Sequence, residues 1–438
     1  MSPTNTPHDI LGADGSIARR LKRYELRQEQ LDMANAVQHA FENHQHLAVE
    51  AGTGVGKSFA YLIPAILQTA NSPAEDEETP PRAVISTHTI SLQEQLIEKD
   101  IPFLRSVLPF EFTAVLVKGR GNYVCLRRLL SAVKNVSRLF SDGKEREMQR
   151  LLDWSRKTSD GSKTSLSPEP DREIWNEICC EQGNCLSKKC DHYNRCFYGI
   201  ARRRVANAQI LVVNHALLFS DLAIKMGGGS VLPAYRFLIF DEAHTVEQVA
   251  ADYLGISITQ GQIEYHLNRL YNERTQKGLL TNTSIKAEKR IQTQQSVNDC
   301  FYASEIFFHD IMEWTRQRPG SNGRVREPRI VNNGLSGALR KLSEIVRGIV
   351  EQTEAPTERT ELRAAKDKLT VLASEIETWV NQSLQEESVY YIEMSFTSRS
   401  RPRVSINAVP LDIGPILREQ LFNKVPSVVL TSATLATR

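Results

Sequence analysis

Residues 46–68 read HLAVEAGTGVGKSFAYLIPAILQ, and the fold turns on them. HLAVEAG (46–52) is a short apolar run of strand character, and Phe59–Gln68 is a helical stretch. AGTGVGKS (51–58) lies between them. A loop of small residues lets backbone N–H groups turn inward around phosphate oxygens, and the following helix N-terminus adds partial positive charge. In this pattern Gly52, Thr53, Gly54 and Gly56 form the cradle, Lys57 reaches the β/γ-phosphates, and Ser58 holds Mg²⁺. Ala51 stands where the strict pattern has Gly, a variation tolerated in many nucleotide-driven motors.

Five more runs resemble the first: RAVISTHT (82–89), FTAVLVKG (112–119), QILVVNHAL (209–217), YRFLIFDEAH (235–244) and SVVLTSAT (427–434). They are β-branched and too continuous for half-exposed strands, which predicts a parallel sheet buried on both faces. Helical stretches such as Leu92–Leu104 alternate with them, so the fold class is α/β. Two long stretches interrupt the alternation. The first, roughly 120–205, holds six of the seven cysteines. The second, roughly 246–395, has almost no strand signal. Its Leu335, Leu339, Leu342, Val346 and Ile349, and its Leu369, Leu372, Ile376 and Trp379, recur at helical spacing and predict core helices of an inserted domain. AEDEETPP (74–81), GSKTSLSPEPD (161–171) and MGGGS (226–230) read as surface loops.

DEAH (241–244) closes the run FLIF. A strand ending in Asp-Glu delivers two carboxylates to the carboxyl edge of the sheet, where ligands of open α/β folds bind. Asp241 would hold Mg²⁺ through its water shell, and Glu242 would orient and deprotonate the attacking water. With these residues the sequence resembles superfamily 2 helicases, which implies ATP as the nucleotide. RQEQ (27–30) fits their adenine-contacting motif with Gln30 as reader, and His244 joins the nucleotide contacts. STHTISLQEQL (86–96) is similar to their DNA-phosphate-gripping motif. TSATL (431–435) is similar to the motif coupling hydrolysis to strand movement. GLSGA (334–338) superficially matches the ABC-transporter signature loop, but it lies beyond the DEAH strand, in a helical seam.

GRGNYVC (119–125) and GNCLSKKCDHYNRC (183–196) place Cys125, Cys185, Cys190 and Cys196 in one insertion, the last three spaced C-x4-C-x5-C. Four thiolates suit tetrahedral zinc or an iron–sulfur cluster alike. No C-x2-C knuckle of the zinc-ribbon kind occurs. The wording, with FYGIARRR following, resembles the DinG/XPD family of iron–sulfur helicases, bacterial DinG-type proteins above all. That resemblance implies that the four cysteines bind a [4Fe-4S] cluster beside the DNA path. Cys179 and Cys180 are further thiols that could substitute, and Cys300 reads as a buried small hydrophobe. Lys118, Arg120, Arg127, Arg128, Arg202, Arg203 and Arg204, with Tyr123 and Tyr193, would hold a single strand by phosphate contact and base stacking.

The resemblance divides the chain into residues 1–118 (first helicase segment), 119–205 (iron–sulfur domain), 206–248 (DEAH segment), 249–395 (all-α, arch-like insertion) and 396–438 (Ser-Ala-Thr segment). Its family layout puts a second RecA-like domain directly downstream. No Gln-x-x-Gly-Arg-x-x-Arg element occurs, so the expectation is the N-terminal part of a longer protein, or a truncated product, that hydrolyses nucleotide very slowly and does not translocate. The whole protein is expected to be a monomeric 5′–3′ helicase of repair or replication. Its expected partners are single-stranded or forked DNA, with RNA–DNA hybrids as further candidates. No exonuclease activity is expected from these residues. A cluster-bearing, non-catalytic DNA-binding fragment is the rival reading, and a zinc-stapled helicase a second. Net charge of +2 over 438 residues makes no case of its own for nucleic acid. Hydrophobic content of 41% with 24% charged residues is that of a soluble globular chain. No run approaches the ~20 apolar residues of a membrane span. No signal peptide is legible either, so the expected address, by default, is cytoplasmic, where thiols stay reduced.

Overall fold

A computed structural model describes residues 6–52, 54–70, 81–136, 143–281, 287–384, 387–395 and 402–435. The chain forms two compact units. One draws on Met1–Lys118, Ala201–Leu254 and Ile413–Arg438, the other on Gly119–Ile200 and Gly255–Asp412. In chain order the strands are β1 (Leu47–Glu50), β2 (Ala83–Thr87), β3 (Ala114–Leu116), β4 (Ile210–Asn214), β5 (Phe237–Asp241), β6 (Ile256–Thr259), β7 (Arg324–Val325), β8 (Ser388–Ser395), β9 (Arg403–Pro410) and β10 (Ser427–Ser432).

The first unit is built on a parallel six-stranded sheet ordered β1-β10-β5-β2-β4-β3. Successive residues of a strand face opposite ways, and here both ways lead into protein. Ile85, Val212, Ile239 and Val429 join one apolar cluster, with the helices Gln28–Glu42 and Lys57–Ala70. Val84, Leu211, Val213, Leu238, Phe240 and Val428 join the other, with the helix His215–Met226. Burial on both faces is why these strands read as continuous apolar runs. All six predicted runs are strands of this sheet. Because the strands are parallel, the ends of β1, β10, β5 and β2 share one edge. The pairs Glu50↔Ser432 and Thr431↔Asp241 set their register there.

In the second unit the two leucine-rich seams are buried faces of the helices Gly334–Gln352 and Pro356–Asn381. Pro356 opens its helix at a position where no backbone donor is needed, and Gln382 closes it in the left-handed region at φ 52°. The helix Ala287–Arg316 packs into the same core. This insertion is not all helical, as the sequence reading had it. It contains an antiparallel sheet ordered β6-β9-β8-β7. Tyr390 and Ile392 point into the core while Val389, Tyr391 and Glu393 face outward, a half-exposed alternation unlike the continuous runs of the first sheet. The helix Pro356–Asn381 is tied to that sheet where the Trp379 indole N–H donates to the Asn407 carbonyl at 2.9 Å. β9 therefore belongs to this unit, although the sequence reading assigned 396–438 to the nucleotide-binding part; the first unit resumes at Ile413. Among the described residues no helix is long and apolar enough to cross a membrane.

Candidate nucleotide-binding site

The loop after β1 is held from its start. Ala51 N–H donates to the Ser432 carbonyl at 3.0 Å, fixing the loop to the neighbouring β10. Gly54 and Gly56 then take φ of 89° and 87°, a region that side-chain-bearing residues enter at a cost. Space around the glycines is divided in a telling way. A Cβ on Gly52 or Gly54 would meet nothing within 4 Å, whereas one on Gly56 would lie 2.1 Å from Gln30 Nε2. Gln30 is 6% exposed and donates to the Gly56 carbonyl at 2.8 Å. Arg27 donates to the Gly54 carbonyl. Both ends of RQEQ thus land on the glycine loop, and Gln30 supports its backbone. Thr53 lies outside the described residues.

Lys57 opens the helix Lys57–Ala70, and its ammonium lies 3.5 Å from a Glu242 carboxylate oxygen. Asp241, at the end of β5, is 4% exposed and accepts a hydrogen bond from the Tyr61 hydroxyl at 2.9 Å. Burial pushes the Asp241 carboxyl up, and the Glu242 charge adds to that; the Tyr61 hydrogen bond and Lys57 oppose it. The Tyr61 phenol is pushed well above its ordinary value by burial and by Asp241. It therefore stays a donor. The Ser58 hydroxyl lies beside Tyr61 and Asp100 and opposes the rise of both, while burial raises the Asp100 carboxyl. Sequence reading missed Tyr61 and Asp100. A lone hydroxyl in the apolar run FAYLIPAIL was the available signal for the first; nothing marked the second.

Glu242 adopts the left-handed conformation, φ 58° and ψ 47°, a sparsely populated state for a non-glycine residue that surrounding structure must enforce. Thr245 helps by donating to the Glu242 carbonyl at 2.9 Å. His244 Nδ1 lies 2.8 Å from Ser432 Oγ and 3.4 Å from a Glu242 carboxylate oxygen. Leu435 N–H donates to Glu50 Oε2 at 3.1 Å. The Ser-Ala-Thr segment is thus bonded to both the DEAH turn and the end of β1. Next along the edge, Ser86 Oγ lies 2.6 Å from His215 Nδ1. That imidazole is held neutral, its pKa lowered to about 4 by burial first and by His88 second.

The cysteine segment lies in the second unit. All seven cysteines are free thiols. Val124 and Cys179 form an antiparallel bridge, which sets Cys125 and Cys180 on neighbouring chain segments. The two thiols act on each other, pulling Cys125 down to about 6 and pushing Cys180 up. Cys196 is raised by burial, and Cys125, Cys185 and Cys190 all add to the rise, so the four predicted ligands share one neighbourhood. Cys185 and Cys196 sulfurs each accept a backbone N–H at 3.4 Å, from Ser187 and Gly199. Among the described residues no group of three or more His, Cys, Asp or Glu is gathered as an ion-binding set. The donor set is thus right in kind for a thiolate-ligated group but is not gathered into a site, and Cys180 competes for Cys125.

The predicted strand-gripping residues behave differently. Arg127 and Arg128 are 8% and 3% exposed. Arg127 bonds Asn184 and pairs with Glu361 at 3.2 Å. Arg128 bonds the Cys179 and Asn176 carbonyls and pairs with Glu177 and Glu181. Arg269, itself buried, joins them through Glu181 at 2.7 Å. Burial would raise the Glu181 carboxyl, but Arg269 and Arg128 bring it down to about 2. These arginines are structural pins, and Tyr123 is buried as well. Arg120 stacks on Tyr198 at 4.8 Å, and Arg202 donates to the Val231 carbonyl. Arg203 and Arg204 remain exposed.

Comparison with known proteins follows the same lines. Residues 30–121 match the family DEAD/DEAH box helicase, and residues 103–263 match the family DEAD_2. The chain is 29% identical over 437 residues to the ATP-dependent DNA helicase YoaA of Escherichia coli, covering 98% of this chain and 63% of that protein. It is 34% identical over 265 residues to YoaA of Haemophilus influenzae, covering 60% of this chain and 40% of that protein. It is 37% identical over 265 residues to the ATP-dependent helicase DinG of Mycobacterium tuberculosis, covering 56% and 38%. The chain thus spans roughly half the length of these relatives. The two family matches run over the glycine loop and the cysteine segment, and the chain is similar throughout to ATP-dependent helicases of the YoaA and DinG kind.

Proposed function

We propose that this chain is the ATP-binding motor portion of a DinG-type, ATP-dependent DNA helicase acting in repair or replication, with 5′–3′ polarity by family resemblance. The observation that carries the reading is the meeting of Lys57 and Glu242 at 3.5 Å beside buried Asp241, at the mouth of an open glycine loop. Lys57 would leave Glu242 for the β/γ-phosphates when nucleotide enters. That exchange frees Glu242 to accept a proton from the attacking water. Ser58 and Asp241 would hold Mg²⁺, which when bound would neutralise charge developing on the phosphates. Lys57 and Tyr61 favour the ionised Asp241 that this requires.

Cys125, Cys185, Cys190 and Cys196 would hold an iron–sulfur cluster, which when bound would staple a small apolar core centred on Leu129, Leu151, Ile174 and Ile178. Single-stranded or forked DNA is the proposed partner, with RNA–DNA hybrids as further candidates, and a monomer the working unit. Lys57→Ala in the whole protein should abolish ATP hydrolysis and leave DNA binding in place. Retained hydrolysis would refute the phosphate-loop assignment. Iron and sulfide analysis of anaerobically purified protein should find both, with loss in Cys190→Ser; stoichiometric zinc instead would refute the cluster.

A further inference from the structure

The second unit carries a cluster of cations that neither the motor chemistry nor the cysteines employ. Where the helix Ala287–Arg316 ends, Trp314, Arg318, Arg324 and Arg326 line a cleft of ≈ 670 Å³, with Glu327 as the acid on its wall. The Arg318 guanidinium lies over the Trp314 ring, 4.6 Å from its centroid. Trp314 is half-buried and packs against the core, so the indole cannot swing away, and the guanidinium extends it as a flat ledge. Arg324 sits on β7, paired opposite Tyr391 of β8. Val325 is 4% exposed, and strand alternation therefore turns Arg324 and Arg326 outward together. Just before them Asn322 and Gly323 take φ of 48° and 76°. A Cβ on Gly323 would lie 2.2 Å from the Ile392 carbonyl oxygen, so this turn is pressed onto the sheet.

None of Arg318, Arg324 and Arg326 makes an ion pair among the described residues, whereas neighbouring Arg316 is paired with Glu313 at 2.7 Å. Three exposed guanidinium groups against the single acid Glu327, around an aromatic ledge, match one ligand chemistry: a chain of phosphodiesters carrying unstacked bases. Phosphates satisfy arginine forks, and a base stacks on the ledge irrespective of its sequence. A duplex keeps its bases stacked on each other and offers only its phosphates. We propose that this cleft of the second unit is a contact for single-stranded DNA made by residues other than those of the motor motifs. The proposal rests on the reading of the protein as a DNA-acting motor.

The test measures anisotropy of a labelled oligo-dT strand on the full chain across a salt series. It compares wild type, Trp314→Ala, Trp314→Phe and the double variant Arg324→Ala/Arg326→Ala. Trp314→Ala should weaken binding roughly 5- to 100-fold, and Trp314→Phe should restore most of it. The double variant should flatten the slope of log affinity against log salt by about 1.4, the loss of two single-strand phosphate contacts. Affinity for Mg·ATP should not change in any of them. If Trp314→Ala does not fold, the phenylalanine and arginine variants carry the comparison. Wild-type binding with unchanged affinity and slope in the variants would overturn this site and leave the motor reading standing. Absence of oligo-dT binding by the wild type would overturn both.

Discussion

Replacing Gly56 by alanine probes how the glycine loop is held. The new methyl carbon would sit 2.1 Å from Gln30 Nε2, at a φ of 87°. Holding a non-glycine residue there costs about 1–3 kcal/mol. Gln30 can move aside, since its amide is the end of a flexible side chain, but it then abandons the Gly56 carbonyl inside the protein. A buried polar group left unpaired costs a further ~1–3 kcal/mol. The expected loss is therefore about 2–6 kcal/mol for Gly56→Ala, against ~1–3 kcal/mol for Gln30→Ala, which removes the same hydrogen bond. The double variant loses that hydrogen bond only once, so it should fall short of the sum by about 1–3 kcal/mol. All four tryptophans, Trp154, Trp175, Trp314 and Trp379, lie in the second unit. Unfolding of the first unit must accordingly be followed by another signal, such as the Mg·ATP-dependent shift of its melting in far-ultraviolet circular dichroism. Additivity within ~0.5 kcal/mol would show that Gln30 is not what Gly56 makes room for.

Two further predictions concern the second unit, where tryptophan emission reports directly. Glu181→Gln should lower its stability by about 3–5 kcal/mol, because it strips a counter-charge from the buried Arg269 and Arg128. The exposed Arg316–Glu313 pair is the control: Arg316→Ala should cost under ~1 kcal/mol, and equal effects from the two would contradict the assigned burial. Acid should weaken this unit in two windows. His266 is lowered from 6.5 to about 4, by burial first and then by Lys368 and Arg269, with Glu181 opposing. The unfolded chain therefore binds the extra proton as pH falls from 6.5 towards 4, and stability drops there by at most about 1.4 kcal/mol per pH unit. Glu181, lowered from 4.5 to about 2, adds a second loss below pH 4.5. Urea midpoints at pH 7.5, 6 and 5 should fall for wild type and much less for His266→Gln; parallel decline in both would exclude His266 as the group responsible.

What sequence could reveal here depended on whether a residue's partner lay nearby along the chain. The glycine loop, the DEAH turn and all six strands of the parallel sheet were legible, since each is a local pattern with a local cause. The sheet of β6 to β9 was hidden among helices. The alternation of Ser388–Ser395 is one of burial, with Tyr390 and Ile392 inside, and its apolar run Val389–Ile392 is only four residues long; β7 is two residues long. Charge was the least legible quantity. Arg127 and Arg128 look like any basic patch until Glu361, 234 residues away, is seen across from Arg127. Tyr61 likewise finds Asp241 180 residues downstream. Gln30 was expected to face adenine, and its support of the Gly56 carbonyl could not be read from RQEQ alone.

The placement of β10 between β1 and β5 has a consequence for biosynthesis. Leu47–Glu50 has no neighbour in its sheet until Ser427–Ser432 has left the ribosome, nearly four hundred residues later. A growing chain can pair β2 with β4 and β5 much earlier, but it leaves one edge of β5 bare and the start of the glycine loop without its anchor, because Ala51 has no Ser432 carbonyl to bind. Such long-range closure is slow and exposes an apolar strand edge meanwhile. The nascent chain should therefore depend on chaperones until β10 is made, and gain full affinity for nucleotide only once β10 has paired.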